Sequence, residues 1–283
     1  LLGKQKAIAS MAANPLVSIC IPHWQVRDMM AVCLRAIRRH SREYNYEVLV
    51  VDNGSKDESL DWLRSLGWIR LIERPEESQS NWPANVFTAW DLGLKRANGR
   101  YFLTMHSDVF VRSDRWLDPM LALMEQSAHI AATGAWKQCV ENPLYAWQKR
   151  LLGGTLAACK RLLGRHARGS FRQGHYPRDY CALYRREVLL RHQLTFCPAD
   201  ELITGGYSIA LQLWKLGYQT PTIPLWLISR NMVHLAHGTA ALSATGKPLR
   251  HTAGQRKAQK RAAAICNEPW VRALRDAAEL DAA

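Results

Sequence analysis

The chain has 283 residues, 48% hydrophobic and 22% charged, enough for one large domain or two small ones around a sizeable core. This composition excludes a disordered, collagen-like or coiled-coil chain. With 38 Lys and Arg against 24 Asp and Glu, its net charge of +14 favours polyanionic partners: phosphorylated substrates, anionic lipid headgroups or nucleic acid. No run approaches the roughly 18 uncharged apolar residues that cross a bilayer, and seven scattered cysteines with no Cys-x-x-Cys pair suit reduced thiols in a cytoplasm.

Residues 1–14 read as an N-terminal extension. Met11-Ala12-Ala13-Asn14-Pro15 would be a plausible natural start, and nothing before it has the apolar core of a secretory signal. Residues 16–21 predict a strand that Pro22 stops, and 29–40 a helix from the spacing of Met29, Cys33, Leu34 and Ile37. The run 47–51 is almost uniformly apolar, as in a strand buried on both faces, and ends in Asp52-Asn53-Gly54-Ser55. A short helix at 59–66, a strand at 68–72, a helix at 84–97 closed by Asn98-Gly99 and a strand at 101–105 follow. Then come a helix at 116–126 and a strand at 130–136. Beyond Glu141 the alternation lapses, to resume with a strand at 180–184, a helix at 207–216 and a Pro-bounded strand at 225–228. The pattern is that of an α/β layered domain with a mostly parallel central sheet flanked by helices.

Ligands of open α/β sheets bind beyond the carboxyl ends of the strands. Those ends carry Pro22-His23-Trp24, Asp52-Asn53-Gly54-Ser55-Lys56-Asp57 and His106-Ser107-Asp108. An aromatic and two carboxylates could hold a base, a ribose and a metal diphosphate. Each motif alone is more often a turn or a helix cap, but their joint occurrence at three strand ends favours a nucleotide. With no Gly-x-Gly-x-x-Gly after the first strand and no Gly-Lys-Ser or Gly-Lys-Thr loop, phosphates need a metal or cationic side chains.

The segments 17–22, Val50-Val51-Asp52-Asn53-Gly54-Ser55-x-Asp57, and Gly93 with Ala97-x-Gly99-x-Tyr101 leading into His106-Ser107-Asp108 resemble family 2 glycosyltransferases of GT-A fold. Tyr184-Arg185-Arg186-Glu187 and Leu213-x-Lys215-x-Gly217-Tyr218 match less specifically. The resemblance implies a nucleotide-sugar-binding half at 15–140 and an acceptor-binding half at 179–245. It implies that Pro22 and His23 line the base, that Asp52 bonds it, and that Asn53, Asp91, His106 and Ser107 belong to the donor site. Asp108 would be the last residue of the family's Asp-x-Asp motif, holding Mn²⁺ or Mg²⁺ on the donor diphosphate, with His106 in place of the first Asp. In His234-Leu235-Ala236-His237-Gly238-Thr239, His234, and less favourably His237, would complete the metal site; imidazole suits Mn²⁺ better than Mg²⁺.

An inverting transferase of this class needs a carboxylate to deprotonate the acceptor hydroxyl. The family's usual Glu-Asp pair falls here on Gly205-Gly206, so Asp200 or Glu201, a few residues upstream, is the expected base. Trp90 stands where the family often has Arg, and Arg178, Arg185 or Arg186 could compensate at the diphosphate.

Residues 141–178 read as a basic amphipathic insertion. Leu152, Leu156, Cys159 and Leu163 share one helical face, with Arg150, Arg161, Arg165 and Arg168 near the other. Together with a basic helical tail at 246–283, it suggests peripheral contact with an anionic inner leaflet carrying a glycan or lipid-linked acceptor. Three readings compete with a nucleoside-diphosphate-sugar transferase: a catalytically silent nucleotide-sugar or glycan-binding protein, a nucleotidyltransferase, and, last, a nucleic-acid binder. Nucleic acid is disfavoured because the basic run 247–261 contains no aromatic to stack on bases.

Overall fold

The computed structural model describes residues 15–74, 82–136, 176–198, 204–243 and 252–282, with positions 152, 155, 159 and 162–164 between them. In chain order the elements begin with β1 (Val17–His23), α1 (Arg27–His40), β2 (Tyr46–Asp52), α2 (Ser59–Ser65), β3 (Arg70–Glu73) and α3 (Trp82–Arg96). There follow β4 (Tyr101–Met105), β5 (Val109–Val111), α4 (Asp118–Gln126), β6 (Ala132–Ala135), β7 (Cys181–Arg185) and α5 (Arg186–Arg191). The chain closes with α6 (Gly205–Lys215), β8 (Thr222–Ile223), α7 (Leu225–Asn231), β9 (Met232–His234), α8 (Gly238–Leu242), α9 (Thr252–Cys266) and α10 (Pro269–Asp276).

Seven strands make one sheet in the order β3-β2-β1-β4-β7-β6-β8, and β5 pairs antiparallel with β9 in a separate ribbon. The first four strands of that order are mutually parallel, β7 runs antiparallel to both its neighbours, and β8 is parallel to β6. The continuous apolar runs follow from burial on both faces. Val17, Ile19, Ile21, Val48, Val50, Tyr101 and Leu103 point to one core with Met30, Leu34 and Ile37 of α1. The alternate positions Cys20, Leu49, Val51 and Phe102 point to a second core with Trp90 and Leu94 of α3 and Ile209 and Leu213 of α6. Each fully buried aliphatic of this kind contributes about 1.5–3 kcal/mol.

Three local expectations are corrected. Strand β1 continues through Pro22 to His23, because the β4 register ends at Cys20↔Thr104 while β2 still pairs with Pro22 and His23. A residue lacking N–H is tolerated where one flank of its strand is open. The segment expected as a strand at 225–228 is the start of helix α7, with Pro224 at its N-cap; proline favours helix starts as readily as strand ends. Helix α6 begins at Gly205, so Gly205 and Gly206 lie in its first turn rather than in the preceding loop.

The tail docks on the first core through Val271 and Leu274. Beyond α10, Asp281 forms a paired-oxygen ion pair with buried Arg35 of α1, at 2.6 and 2.7 Å, and accepts a bond from Trp62 Nε1 at 3.0 Å. The insertion lies almost wholly outside the described residues. Of its expected apolar face, Leu152 and Leu163 are 63% and 72% exposed. Among the described residues no helix is long and apolar enough to cross a membrane.

Candidate active site

The strand order reverses between β1 and β4, and crevices at such switch points receive ligands. Strand β1 ends at His23, and the residue after β4 is His106. His106 N–H bonds to Tyr180 O at 2.9 Å, tying this end of β4 to the chain entering β7. Three residues on, the β5–β9 ribbon sets Val109 opposite His234, and Leu235 N–H bonds to Asp108 O at 3.0 Å. A short ribbon thus delivers a histidine from late in the chain to the carboxyl end of β4.

Ligand atoms of His106, Asp108 and His234 all lie within 4.8 Å of one another. Asp108 Oδ1 is 3.1 Å from His234 Nε2 and 3.8 Å from His106 Nδ1. Its other oxygen, Oδ2, accepts the Gly238 N–H at 2.8 Å, which fixes the carboxylate and turns Oδ1 toward both imidazoles. Position 238 must be glycine, because a Cβ there would meet Asp108 Cβ at 2.6 Å and Met29 Sδ at 2.8 Å. Each ring is also stacked: Trp90 on His106 with centroids 5.5 Å apart, Tyr180 on His234 at 4.2 Å. Burial alone would raise the Asp108 pKa, but the neighbouring His234, His106 and the Gly238 N–H outweigh it and hold the carboxyl well below the usual range. Desolvation lowers the His106 pKa against the pull of Asp108 and Asp179. Two imidazoles and a carboxylate are a donor set that fits a divalent cation, transition metals above all.

His237 does not join this group. It is exposed, and it precedes α8 in the left-handed conformation (φ 70°), directly after Ala236, also left-handed (φ 55°). This bend presents Gly238 N–H to Asp108.

His23, Asp52 and Asn53 gather at the ends of β1 and β2, all buried. Asp52 closes its own turn, Oδ2 accepting from Gly54 N and Ser55 N at 3.0 and 2.9 Å and Oδ1 from the Ser55 hydroxyl at 2.5 Å. His23 Nε2 is 2.9 Å from Ser59 Oγ. Asn53 Oδ1 accepts from Arg74 at 2.7 Å, a cation at the end of β3 that the sequence reading passed over because no motif surrounds it. Pro22 is buried within β1, and Ser107 is buried between His106 and Asp108. Asp91 is directed elsewhere: its carboxylate accepts Phe196 N–H at 2.9 Å and the Thr195 hydroxyl, holding Phe196 against Trp90. Arg185 donates to the carbonyls of Met124, Ser127 and Ile130 around the end of α4, so its guanidinium serves that helix end. Asp200 and Glu201 lie outside the described residues.

The "Glycosyl transferase family 2" description matches residues 18–192, more than half the chain. The chain belongs to this family, and its fold is of GT-A type. It is 26% identical over 121 residues to a putative teichuronic acid biosynthesis glycosyltransferase, TuaG, of Bacillus subtilis strain 168, covering 43% of this chain and 47% of that protein. It is 31% identical over 100 residues to a PGL/p-HBAD biosynthesis glycosyltransferase of Mycobacterium bovis strain BCG, covering 34% and 36%. The chain thus spans less than half the length of these curated relatives. Among solved structures, the mannosyltransferase PcManGT of Pyrobaculum calidifontis, in complex with GDP-Man and Mn²⁺, superposes with a TM-score of 0.52 at 17% identity. That match covers 98% of this chain and 80% of the other.

Proposed function

We propose that this chain is an inverting, metal-dependent glycosyltransferase that moves a sugar from a nucleoside-diphosphate sugar to a hydroxyl of a bacterial-type glycan or glycolipid. The observation that carries the reading is the convergence of His106, Asp108 and His234 at the switch point between β1 and β4. These residues would hold Mn²⁺ or Mg²⁺, which when bound neutralises the donor diphosphate and eases departure of the nucleoside diphosphate as a Lewis acid. His23, Asp52 and Asn53 would form the wall for the nucleoside, with Pro22 behind them and Arg74 bracing Asn53. Ser107, buried and between His106 and Asp108 in the chain, would belong to the donor site.

The names of the relatives, in teichuronic acid and PGL/p-HBAD biosynthesis, support a glycan or glycolipid acceptor. Peripheral contact with an anionic membrane would bring the chain to such an acceptor; flotation with anionic but not neutral vesicles tests it. A catalytically silent nucleotide-sugar-binding protein is the second reading, favoured by Gly205 and Gly206 at the positions of the family's usual acidic pair. The deciding experiment follows nucleoside-diphosphate release from UDP- and GDP-sugars with Mn²⁺ present, with water as the acceptor and then with added glycan or glycolipid acceptors. Turnover supports the transferase, whereas Mn²⁺-dependent donor binding without turnover supports the silent protein.

A further inference from the structure

The pair of glycines opening α6 leaves space that another residue fills. A Cβ placed on Gly206 would come within 3.1 Å of Asp179 Cβ and 3.3 Å of Asp179 Cγ. Gly206 N–H donates to Asp179 Oδ2 at 3.1 Å, and among the described residues Oδ1 accepts no hydrogen bond. The Asp179 carboxyl therefore lies where a side chain at position 206 would begin. It remains partly open to solvent.

Its surroundings are those of the candidate active site. The next residue, Tyr180, stacks on His234 and accepts the His106 N–H through its carbonyl. The Asp179 charge is close enough to act on the His106 ring. Alongside, Tyr176 and Tyr207 pack ring to ring with centroids 5.0 Å apart, an aromatic wall of the kind that sugars stack on. Among the described residues, Asp52 is committed to its turn, Asp57 to Val26 N–H and Ser59, Asp91 to residues 195–196, and Asp108 to Gly238 and the two histidines.

We infer that Asp179 is the general base of the transfer, reaching from the chain before β7 into the space that Gly206 vacates. This rests on the transferase reading above and names the residue that completes it. The acceptor O–H gives its proton to Asp179, the acceptor oxygen bonds to the anomeric carbon, and the bond from that carbon to the diphosphate oxygen breaks. The electron pair of that bond leaves with the nucleoside diphosphate.

The test is nucleoside-diphosphate release by the full chain, with Mn²⁺ and with water or an added glycan supplying the attacking O–H, from whichever of UDP-glucose, UDP-N-acetylglucosamine and GDP-mannose the wild type turns over. Asp179→Asn retains an oxygen to accept the Gly206 N–H. It is expected to lose at least 100-fold in kcat, with Mn²⁺ and nucleoside-diphosphate binding by calorimetry unchanged. The transplant Asp179→Gly with Gly206→Asp removes the side-chain crowding and returns a carboxylate to the same space. It is expected to recover at least tenfold over Asp179→Gly alone, which a purely structural role for Asp179 would not produce. Asp179→Asn turning over within threefold of wild type, or Asp200→Asn or Glu201→Gln abolishing turnover while Asp179→Asn does not, overturns the assignment. A silent wild type overturns the transferase reading itself and is distinct from either result.

Discussion

Asp108 Oδ1 stands 3.1 Å from His234 Nε2, and the backbone pairing of β5 with β9 holds the two residues there. The metal-binding reading depends on this junction, and Gly238 is its tightest point. Gly238→Ala would drive a methyl into Asp108 Cβ and Met29 Sδ. Overpacking of this kind costs about 1–3 kcal/mol. The expected outcome is a lower urea midpoint together with a smaller thermal stabilisation by Mn²⁺ than the one expected of the wild type; a variant stabilised by Mn²⁺ as strongly as wild type would contradict the role of the Gly238 N–H.

Two of the three candidate ligand atoms are imidazole nitrogens, which favour transition metals over Mg²⁺. Calorimetric titration should find Mn²⁺ or Co²⁺ bound at least tenfold more tightly than Mg²⁺. His106→Asp should narrow that ratio by replacing a nitrogen with oxygen. Equal affinities in the wild type would count against the ligand set.

Burial pushes the His23 imidazole down to about 4, with Asp52 and Asp57 pulling the other way. In the unfolded chain this group titrates near 6.5. Between those values the unfolded state holds the proton and the folded state does not, so stability falls as pH drops from about 6.5 to about 4 and is fully present above that window. The share due to His23 is about 3 kcal/mol. Urea unfolding at pH 7 and pH 4 should show His23→Gln losing less stability on acidification than the wild type does. Identical losses would exclude His23 as the source.

Asp281, almost at the end of the chain, satisfies a guanidinium on Arg35 whose side chain is only 5% exposed. Removing one partner of such a pair leaves a buried charge uncompensated, at about 3 kcal/mol. Asp281→Ala should lower the urea midpoint accordingly, and Arg35→Met with Asp281→Ala should recover part of the loss. An unchanged midpoint would mean that the tail contributes nothing to the stability of α1.

Much of the sheet could be read from residue order, because apolar runs such as 47–51 leave few alternatives to a strand buried on both faces. The three-residue strands β5 and β9 could not, since neither is long enough to display a period. The candidate metal cluster was half legible for the same reason. His106, Asp108, His234 and His237 all stood in motifs, but only the fold shows which of the histidines gather at Asp108 and that His237 turns away. Asp52 illustrates the opposite case: the turn chemistry of Asp-Asn-Gly-Ser is what its carboxylate performs in the fold. Asp179 and Arg74 carried no motif and became visible only through the space at Gly206 and the bond to Asn53.

The central claim is that the His106–Asp108–His234 centre supports transfer from a sugar nucleotide. Its most direct test compares nucleoside-diphosphate release by wild type and Asp108→Ala, both shown to be folded by circular dichroism, across UDP- and GDP-sugars with Mn²⁺. We expect turnover by the wild type and a loss of at least 100-fold in the variant. Equal rates for the two proteins would contradict the account.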